Sequence, residues 1–220
     1  MIALGMPAAG AFASSNDDWV YIGRGGHGSA HASTLIGDYV VIAEADDRES
    51  GSYASVGSGG TEIFRRQRAF SVYQEKGQYD YYKEQVRVRV LIATSDGAFA
   101  LGGNSSHRRA YTFRSVGKNA MENATLLSAT TGASSDATYD LAAYRAPRLP
   151  IVVAGSCNGS AGTATIGGGS GTSDTISDSS ARVTITWRLD LQQTDSIRYQ
   201  VSGLSGNRSH AHILGKVTSA

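Results

Sequence analysis

The chain has 220 residues, with 20 Lys and Arg against 19 Asp and Glu, 40% hydrophobic residues, 27 Gly and a single Cys. The hydrophobic content is enough for a packed core, which excludes wholesale disorder. A net charge of +1 argues against nucleic-acid partners, which require a concentrated basic surface, and one Cys excludes both an internal disulfide and a zinc site built from cysteines.

The N-terminal segment, Met1 to Ala13, is uncharged and consists of small or apolar residues. Within it, Ala11-Phe12-Ala13 has the A-x-A form of a signal-peptidase site ahead of Ser14. The segment is typical of the end of a secretory signal, and a flexible arm rich in Ala and Gly is the alternative. No later run reaches the roughly 18 apolar residues of a membrane helix, so no membrane span is expected.

Strands are predicted through the body of the chain, because apolar and polar residues alternate there. In residues 182–191 every second side chain, from Val183 to Leu191, is apolar, and a turn at 193–196 leads to residues 197–201 in an expected hairpin. A second hairpin is predicted between residues 69–73 and 81–94. Further strands are predicted at residues 19–22, 38–44, 98–101, 109–116 and 149–154.

One helix is predicted over residues 117–129, where Ala120, Met121, Ala124 and Leu127 recur at three- and four-residue steps. The sequence therefore predicts a mainly β fold, an antiparallel sandwich or open barrel, with one short helix near residues 117–129.

Two Gly- and Ser-rich stretches suggest how the chain is divided. Residues 130–136 have the composition of a linker, and residues 155–180 form a Gly, Ser, Thr and Asp tract that is too polar to pack a core. The sequence therefore predicts two β-rich domains, at residues 17–130 and 138–220, with the Gly/Ser loop 155–180 in the second.

The glycine motif Gly23-Arg-Gly25-Gly-His-Gly28 is a G-x-G-x-x-G directly after a predicted strand. In dinucleotide-binding loops these glycines allow a tight turn against the pyrophosphate, and an acid about 20 residues further on binds the ribose. Glu44 closes the next predicted strand only 16 residues after Gly28, which is short for a crossover helix and a strand. A Gly-rich hairpin loop is favoured, and a nucleotide-binding enzyme using Gly23–Gly28 is an alternative.

A second motif, Gly155-Ser-Cys157-Asn-Gly159, has the form of a nucleophile elbow, and an acid (Asp190 or Asp195) and a histidine (His210 or His212) follow in the order of a hydrolase triad. An elbow requires a helix directly after the nucleophile, to direct backbone N–H groups at the oxyanion. The tract that follows is rich in glycine and unfavourable to a helix. The sequence therefore favours a loop cysteine, and no catalytic residue is assigned.

Two histidine pairs make a metal site geometrically possible: His210 and His212 share one face of a strand, and His27 and His31 are four residues apart. Nothing in the sequence ties the pairs together, and few carboxylates lie beside them. Solvated or capping histidines are favoured, so no metal and no cofactor is expected.

A basic cluster, Arg65-Arg-Gln-Arg68, lies between Phe64 and Phe70. The cluster could hold a polyanion, but a strand edge guarded by charge explains it equally well.

Residues 17–130 contain a series of short motifs: Asp18-Trp19-Val-Tyr-Ile-Gly23, Ala32-Ser-Thr-Leu35, Asp38-Tyr-Val-Val-Ile-Ala43, Tyr79 to Leu91, Ser95-Asp-Gly97 and the predicted helix. In this series the segment resembles bacterial surface-adhesin protein E-like domains. The resemblance implies a small exported α+β domain with a Trp-bearing first strand, a long hairpin and a closing helix. It also implies an envelope location and partner binding rather than catalysis.

Together these patterns predict a non-enzymatic β-rich protein, secreted or in the cell envelope, that has a binding or structural role through protein partners or self-assembly. The main alternative is a structural subunit of a virion or another assembly, such as a capsid, tail or sheath protein. In that case the N-terminal arm and the tract 155–180 would contact neighbouring subunits.

The signal-peptide interpretation makes a direct prediction. If Met1 to Ala13 is the end of a signal, we expect mass spectrometry of the native protein to find a chain that begins at Ser14. A mature protein that retains Met1 would contradict export and favour the assembly subunit.

Overall fold

β-Strands make up the regular structure in the described part of this protein. The computed structural model describes residues 19–26, 28–46, 59–72, 82–100, 108–115, 121–130, 132–140, 148–157, 159–178, 181–191 and 196–217. The strands in these residues are β1 (Trp19–Gly26), β2 (Tyr39–Asp46), β3 (Gly60–Val72), β4 (Tyr82–Ala93), β5 (Arg108–Ser115), β6 (Met121–Thr130), β7 (Ser135–Asp140), β8 (Arg148–Cys157), β9 (Ala161–Ile166), β10 (Gly169–Ser170), β11 (Thr172–Asp178), β12 (Ala181–Trp187), β13 (Ser196–Leu204) and β14 (Asn207–Val217).

The strands form three antiparallel sheets, which we call A, B and C. Sheet A has the order β1-β5-β2-β4-β3, sheet B the order β11-β12-β8-β14-β6, and sheet C the order β10-β9-β13-β7. The prediction of a mainly β, antiparallel fold is therefore confirmed.

Sheet B is the middle layer of the three, and it is buried on both faces. In β8, Ile151 and Val153 pack in a cluster with sheet A, while Val152 and Ala154 pack in a second cluster with sheet C. A strand that is buried on both faces carries a continuous apolar run in place of alternation, as residues 149–154 do. The result is a layered, sandwich-like arrangement with a core on each side of sheet B.

Aromatic packing dominates the interface between sheets A and B. Trp187 at the end of β12 is 3% exposed. The centroid of its ring system lies 5.0 Å from that of Tyr21, 5.6 Å from that of Tyr111 and 5.5 Å from that of Phe113. Tilted and edge-on aromatic pairs at these distances are favourable beyond the area that they bury. Trp187 thus joins sheet B to the β1–β5 side of sheet A.

An ionic cluster at the rim of the same interface also joins sheets A and B. Asp174 on β11 accepts hydrogen bonds from Arg24 (2.6 Å), Arg109 (3.0 Å) and the Tyr111 hydroxyl (3.0 Å). Burial raises the pKa of Asp174, but the hydrogen bonds from Arg24, Tyr111 and Arg109 outweigh it and hold that pKa below its usual value. The carboxylate therefore stays charged and bridges the two sheets at neutral pH.

The helix predicted near residues 117–129 is wrong over its described part, because Met121–Thr130 forms β6, paired antiparallel with β14. β6 has a bulge, since Ser128 lies opposite His212 but Leu126 lies opposite the next residue, Ile213. The extra residue, Leu127, packs toward sheet C while Ala129 packs toward sheet A. The bulge interrupts the two-residue alternation, which explains why the segment shows no strand pattern. The closing helix implied by the adhesin resemblance falls on the same segment.

Other local predictions also fail. The hairpin predicted between residues 182–191 and 197–201 does not form, because β12 lies in sheet B and β13 in sheet C. The tract 155–180 is not a loop, since it contains β9, β10 and β11. Residues 98–100 form no strand, and residue 101 lies outside the described residues.

The two segments predicted as domains are joined in this structure. β6, from the first segment, pairs with β14 of the second, and one hydrophobic cluster contains side chains of sheets A and B. Whether residues 17–130 and 138–220 can fold separately stays a prediction.

The aromatic interface can be tested by substitution. We expect Trp187→Ala to lower the free energy of unfolding by about 3–5 kcal/mol, because it leaves a cavity among three aromatic rings. Urea denaturation measures the effect. Thr163→Ala, at an exposed position in sheet C, is the control and should change stability by no more than about 0.5 kcal/mol. A Trp187→Ala loss no larger than that of the control would contradict this account of the interface.

Candidate functional site

The glycine motif Gly23–Gly28 is part of a strand and a tight turn. Its first four residues belong to β1, which pairs antiparallel with β5, and the turn is closed by the Ser29 N–H donating to the Gly26 carbonyl at 3.0 Å. A Cβ at Gly25 would lie 1.7 Å from the Ser29 carbonyl oxygen, so this turn requires glycine. Residues 28–38 form turns and not a helix, so no helix N-terminus is available there for a phosphate. His27 lies outside the described residues.

Glu44, the acid predicted to follow the glycine motif, is buried in sheet A. It forms ion pairs with Arg89 at 3.1 Å and Arg108 at 3.7 Å, and each of the three side chains is 1% exposed. A carboxylate in that position compensates buried guanidinium groups and is not accessible to a ribose hydroxyl. The described residues of the nucleotide-binding hypothesis thus lack both a helix N-terminus after the glycine motif and an accessible acid.

Cys157 is the last residue of β8, and its backbone pairs with Ala181 and Asn207. The chain then turns at Gly159 and Ser160 into β9, so the residue after the turn begins a strand and not the helix that an elbow requires.

The acids and histidines of the same hypothesis lie apart from one another. Asp190 is exposed and accepts hydrogen bonds from Arg188, His210 and His212 are buried in sheet B, and Asp195 lies outside the described residues.

Of the predicted histidine pairs, the structure describes His31, His210 and His212, and it places His31 in a different element from the other two. His31 lies in the turn beside β1, where its Nδ1 accepts the Ser33 N–H at 3.2 Å, whereas His210 and His212 are in β14. Within the described ranges, no group of three or more His, Cys, Asp or Glu residues is placed to hold a metal. The basic cluster Arg65–Arg68 lies on β3, at the end of the strand order of sheet A.

His212 makes hydrogen bonds that resemble part of a hydrolase triad. Its Nε2 lies 3.1 Å from the Ser135 hydroxyl and its Nδ1 lies 2.8 Å from the Tyr139 hydroxyl. In a triad the third group is a carboxylate that stabilises the imidazolium, and a neutral tyrosine is a poor replacement. Burial, followed by the effect of His210, lowers the pKa of His212 to about 4, far below the value that suits a base at neutral pH. This arrangement is therefore better suited to structure than to acyl transfer.

A different feature, a turn on the outer face of sheet A, presents apolar side chains to solvent. We call residues 31–38 the outer turn. Within the described ranges, three large hydrophobic side chains are exposed: Ile36 at 66%, Leu35 at 45% and Val20 at 44%. Leu35 and Ile36 lie at the tip of the outer turn, and Val20 is on the neighbouring strand β1.

Hydrogen bonds fix the backbone of the outer turn. The Leu35 N–H donates to the Asp38 carboxylate and the Ile36 N–H donates to the Asp96 carboxylate, each at 2.8 Å. The Gly37 N–H donates to the Ala93 carbonyl at 2.9 Å, and Gly37 has a φ of 89°, a conformation that favours glycine. The backbone that carries the two exposed side chains is therefore held in a defined position.

An ion pair connects the outer turn to sheet A. Arg114 on β5 donates to both carboxylate oxygens of Asp38, at 2.8 and 2.7 Å, and to the Ser33 carbonyl at 2.9 Å. Asp38 is 3% exposed, and a bidentate pair of this kind fixes geometry as well as contributing energy. Arg114 lies opposite Val20 in the β1–β5 register, which places Val20 beside the turn.

The sequence analysis favours a Gly-rich loop after the glycine motif but does not identify Leu35 and Ile36 as exposed residues of a fixed turn. A signal was present, since Leu35-Ile36-Gly37-Asp38 is an apolar pair followed by two residues typical of turns. Its contacts with Arg114 and Asp96 could not be read from the local pattern, because both residues are far away in the sequence.

Comparisons of the sequence with protein-family models, with curated proteins and with solved structures found no match. The resemblance of residues 17–130 to surface-adhesin protein E-like domains therefore stays a prediction. No helix able to cross a lipid bilayer occurs in the described part of the chain.

The role of Asp38 can be tested directly. Asp38→Ala removes the carboxylate that binds both Arg114 and the Leu35 N–H, so we expect stability to fall by about 2 kcal/mol and amide exchange at Leu35 to accelerate. Urea denaturation and hydrogen exchange measure the two effects. Asp136→Ala, which breaks an exposed ion pair with Arg198, is the control and should have little effect. Unchanged exchange at Leu35 would show that Asp38 does not order the turn.

Proposed function

We propose that this protein has a binding or structural role at the cell surface and that its contact surface is the outer turn together with Val20. The single observation that carries the proposal is the exposure of Leu35 and Ile36 on a turn whose backbone is fixed by carboxylates. Exposed apolar side chains that lie together favour contact with another protein.

The energetics support this use of the turn. Burying a Leu or Ile side chain fully is worth about 1.5–3 kcal/mol, so covering this pair would contribute appreciably to binding. Because the turn is already ordered, little conformational entropy is lost when a partner covers it. Arg114 beside it is 32% exposed and supplies a polar group for the rim of such a contact.

Export is supported by the sequence alone. The Ala11-Phe12-Ala13 pattern and the resemblance to surface-adhesin protein E-like domains both favour a secreted or envelope protein. The fold is compatible with that location, because layered β structures serve many extracellular binding proteins, although fold by itself does not determine function.

A structural subunit of a virion or another assembly is the second candidate, and the position of β1 favours it. β1 ends the strand order of sheet A in the described residues and carries Val20 next to the outer turn. A second copy could pair along such a strand and bury Val20, Leu35 and Ile36 in the same contact.

Light scattering and photo-crosslinking can test the proposed surface together. We expect a photoreactive amino acid in place of Ile36 to give a discrete adduct, either with another protein of the native host or with a second copy. The same probe in place of the exposed Thr163 in sheet C should give none.

Light scattering measures whether the protein is an oligomer or a monomer, and so distinguishes a second copy from a different protein as the partner. A wild-type oligomer that becomes monomeric in the double variant Leu35→Ser, Ile36→Ser would establish self-assembly, whereas a wild-type monomer with a heterologous adduct would establish partner binding. No adduct from position 36, together with equal sizes of wild type and variant, would contradict both.

A further inference from the structure

Two histidines lie inside the interface between sheets B and C, away from the outer turn. His210 is 2% exposed and His212 is 0% exposed. Both are on β14, two residues apart, and their ring centroids are separated by 5.4 Å. The His212 ring stacks on Tyr199 of sheet C with a centroid distance of 4.9 Å and an interplanar angle of 16°. The pair therefore belongs to the surface on which sheet C rests.

The two imidazoles have different surroundings. His212 is hydrogen-bonded to Ser135 and Tyr139, both on β7 of sheet C. Neither ring nitrogen of His210 has a hydrogen-bond partner in the structure. A buried imidazole without a partner is tolerated when neutral, but a charged one is strongly unfavourable.

The charged groups around the pair would not compensate added positive charge. The positive charge of Arg148 on β8 opposes the rise in the pKa of Tyr199 that burial causes. Arg208 lies two positions before His210 on the same face of β14. Sheet C contributes Tyr139 and Tyr199, while its Asp136 is exposed and paired with Arg198. Asp140 is also exposed, and β9 carries no titratable residue. Among the described side chains, no carboxylate is paired with either histidine.

Burial lowers the pKa of His210, and burial followed by the effect of His210 lowers the pKa of His212 to about 4. In the unfolded chain a histidine has a pKa near 6.5, so as pH falls through the interval from 6.5 to 4 the open state takes up protons that the closed state does not. The closed interface is fully favoured above the upper limit of this interval and loses stability progressively below it.

We propose that His210 and His212 form an acid-sensitive lock, which holds sheet C against sheet B at neutral pH and releases it in mild acid. Protonation places positive charge on two buried rings whose centroids are only 5.4 Å apart. Opening the interface exposes both rings to water and relieves that cost. The Tyr139 and Ser135 hydrogen bonds to His212 are lost in the same step, so β7 and β13 separate from β14.

Hydrogen exchange of the full-length protein at pH 7 and pH 5, corrected for the intrinsic pH dependence of exchange, tests the lock. From the pKa of about 4, protonation of His212 alone should favour the open form about 20-fold more at pH 5 than at pH 7. The backbone hydrogen bonds of β7 and β13 lie within sheet C, whose hydrophobic face is covered only while it rests on sheet B, so we expect them to open when sheet C is released. Protection in β7 and β13 should then fall by at least that factor, whereas protection in β2 and β5 of sheet A should be retained.

Variants separate the lock from general acid sensitivity. His210→Leu removes one titrating ring and no hydrogen bond, so its protection in β7 and β13 should depend less on pH than that of the wild type. His212→Gln provides a second test, and His31→Gln, in the turn beside β1, is the matched control and should behave as the wild type.

Three results would each overturn the proposal. The first is unchanged protection of sheet C at pH 5. The second is an equal loss of protection in all three sheets. The third is a pH dependence that is the same in His210→Leu and His212→Gln as in the wild type.

Discussion

Burial of sheet B on both faces is the constraint on which the rest of this structure depends. A middle layer needs a hydrophobic partner on each side, and β8 meets this need with Ile151 and Val153 toward sheet A and Val152 and Ala154 toward sheet C. Because the layer is buried on both faces, a polar side chain in it is unfavourable unless it has a hydrogen-bond partner. His212 is satisfied by Ser135 and Tyr139 from sheet C, while His210 has no partner, so the interface that buries them is also the one that acid disturbs.

The outer face of sheet A has the opposite character. There, loops cover a small core that includes Ala30 and Phe99, and the outer turn leaves Leu35 and Ile36 in water. A buried carboxylate, Asp38, makes this possible by binding the turn and Arg114 at once. Rigidity and exposure are thus combined at one place, which is the physical basis for assigning the contact surface there.

The sequence predicts the strands in which apolar and polar residues alternate, and it predicts which face of them is buried. In residues 182–191 the expected face is correct, since Val183, Ile185 and Trp187 all enter the core between sheets A and B. Residues 121–130 have helix-like spacing of apolar residues although they form β6, because a bulge at Leu127 breaks the strand period. The hairpin predicted after β12 does not form, because local pattern does not determine which sheet a strand joins. The sequence Leu35-Ile36-Gly37-Asp38 is typical of a turn, but the contact that fixes the outer turn joins Asp38 to Arg114, 76 residues away, and a local pattern does not predict it.

The position of β14 in sheet B also bears on how the chain folds. This strand lies between β8 and β6, so the two strands are brought together only after residues 207–217 are in place. Most strand pairs in this protein join distant segments, and folds of that kind form slowly because long loops must close before contacts stabilise them. Until residues 207–217 have been synthesised, β8 is paired only with β12 and β6 has no partner in sheet B, so both present an open edge to wrong partners.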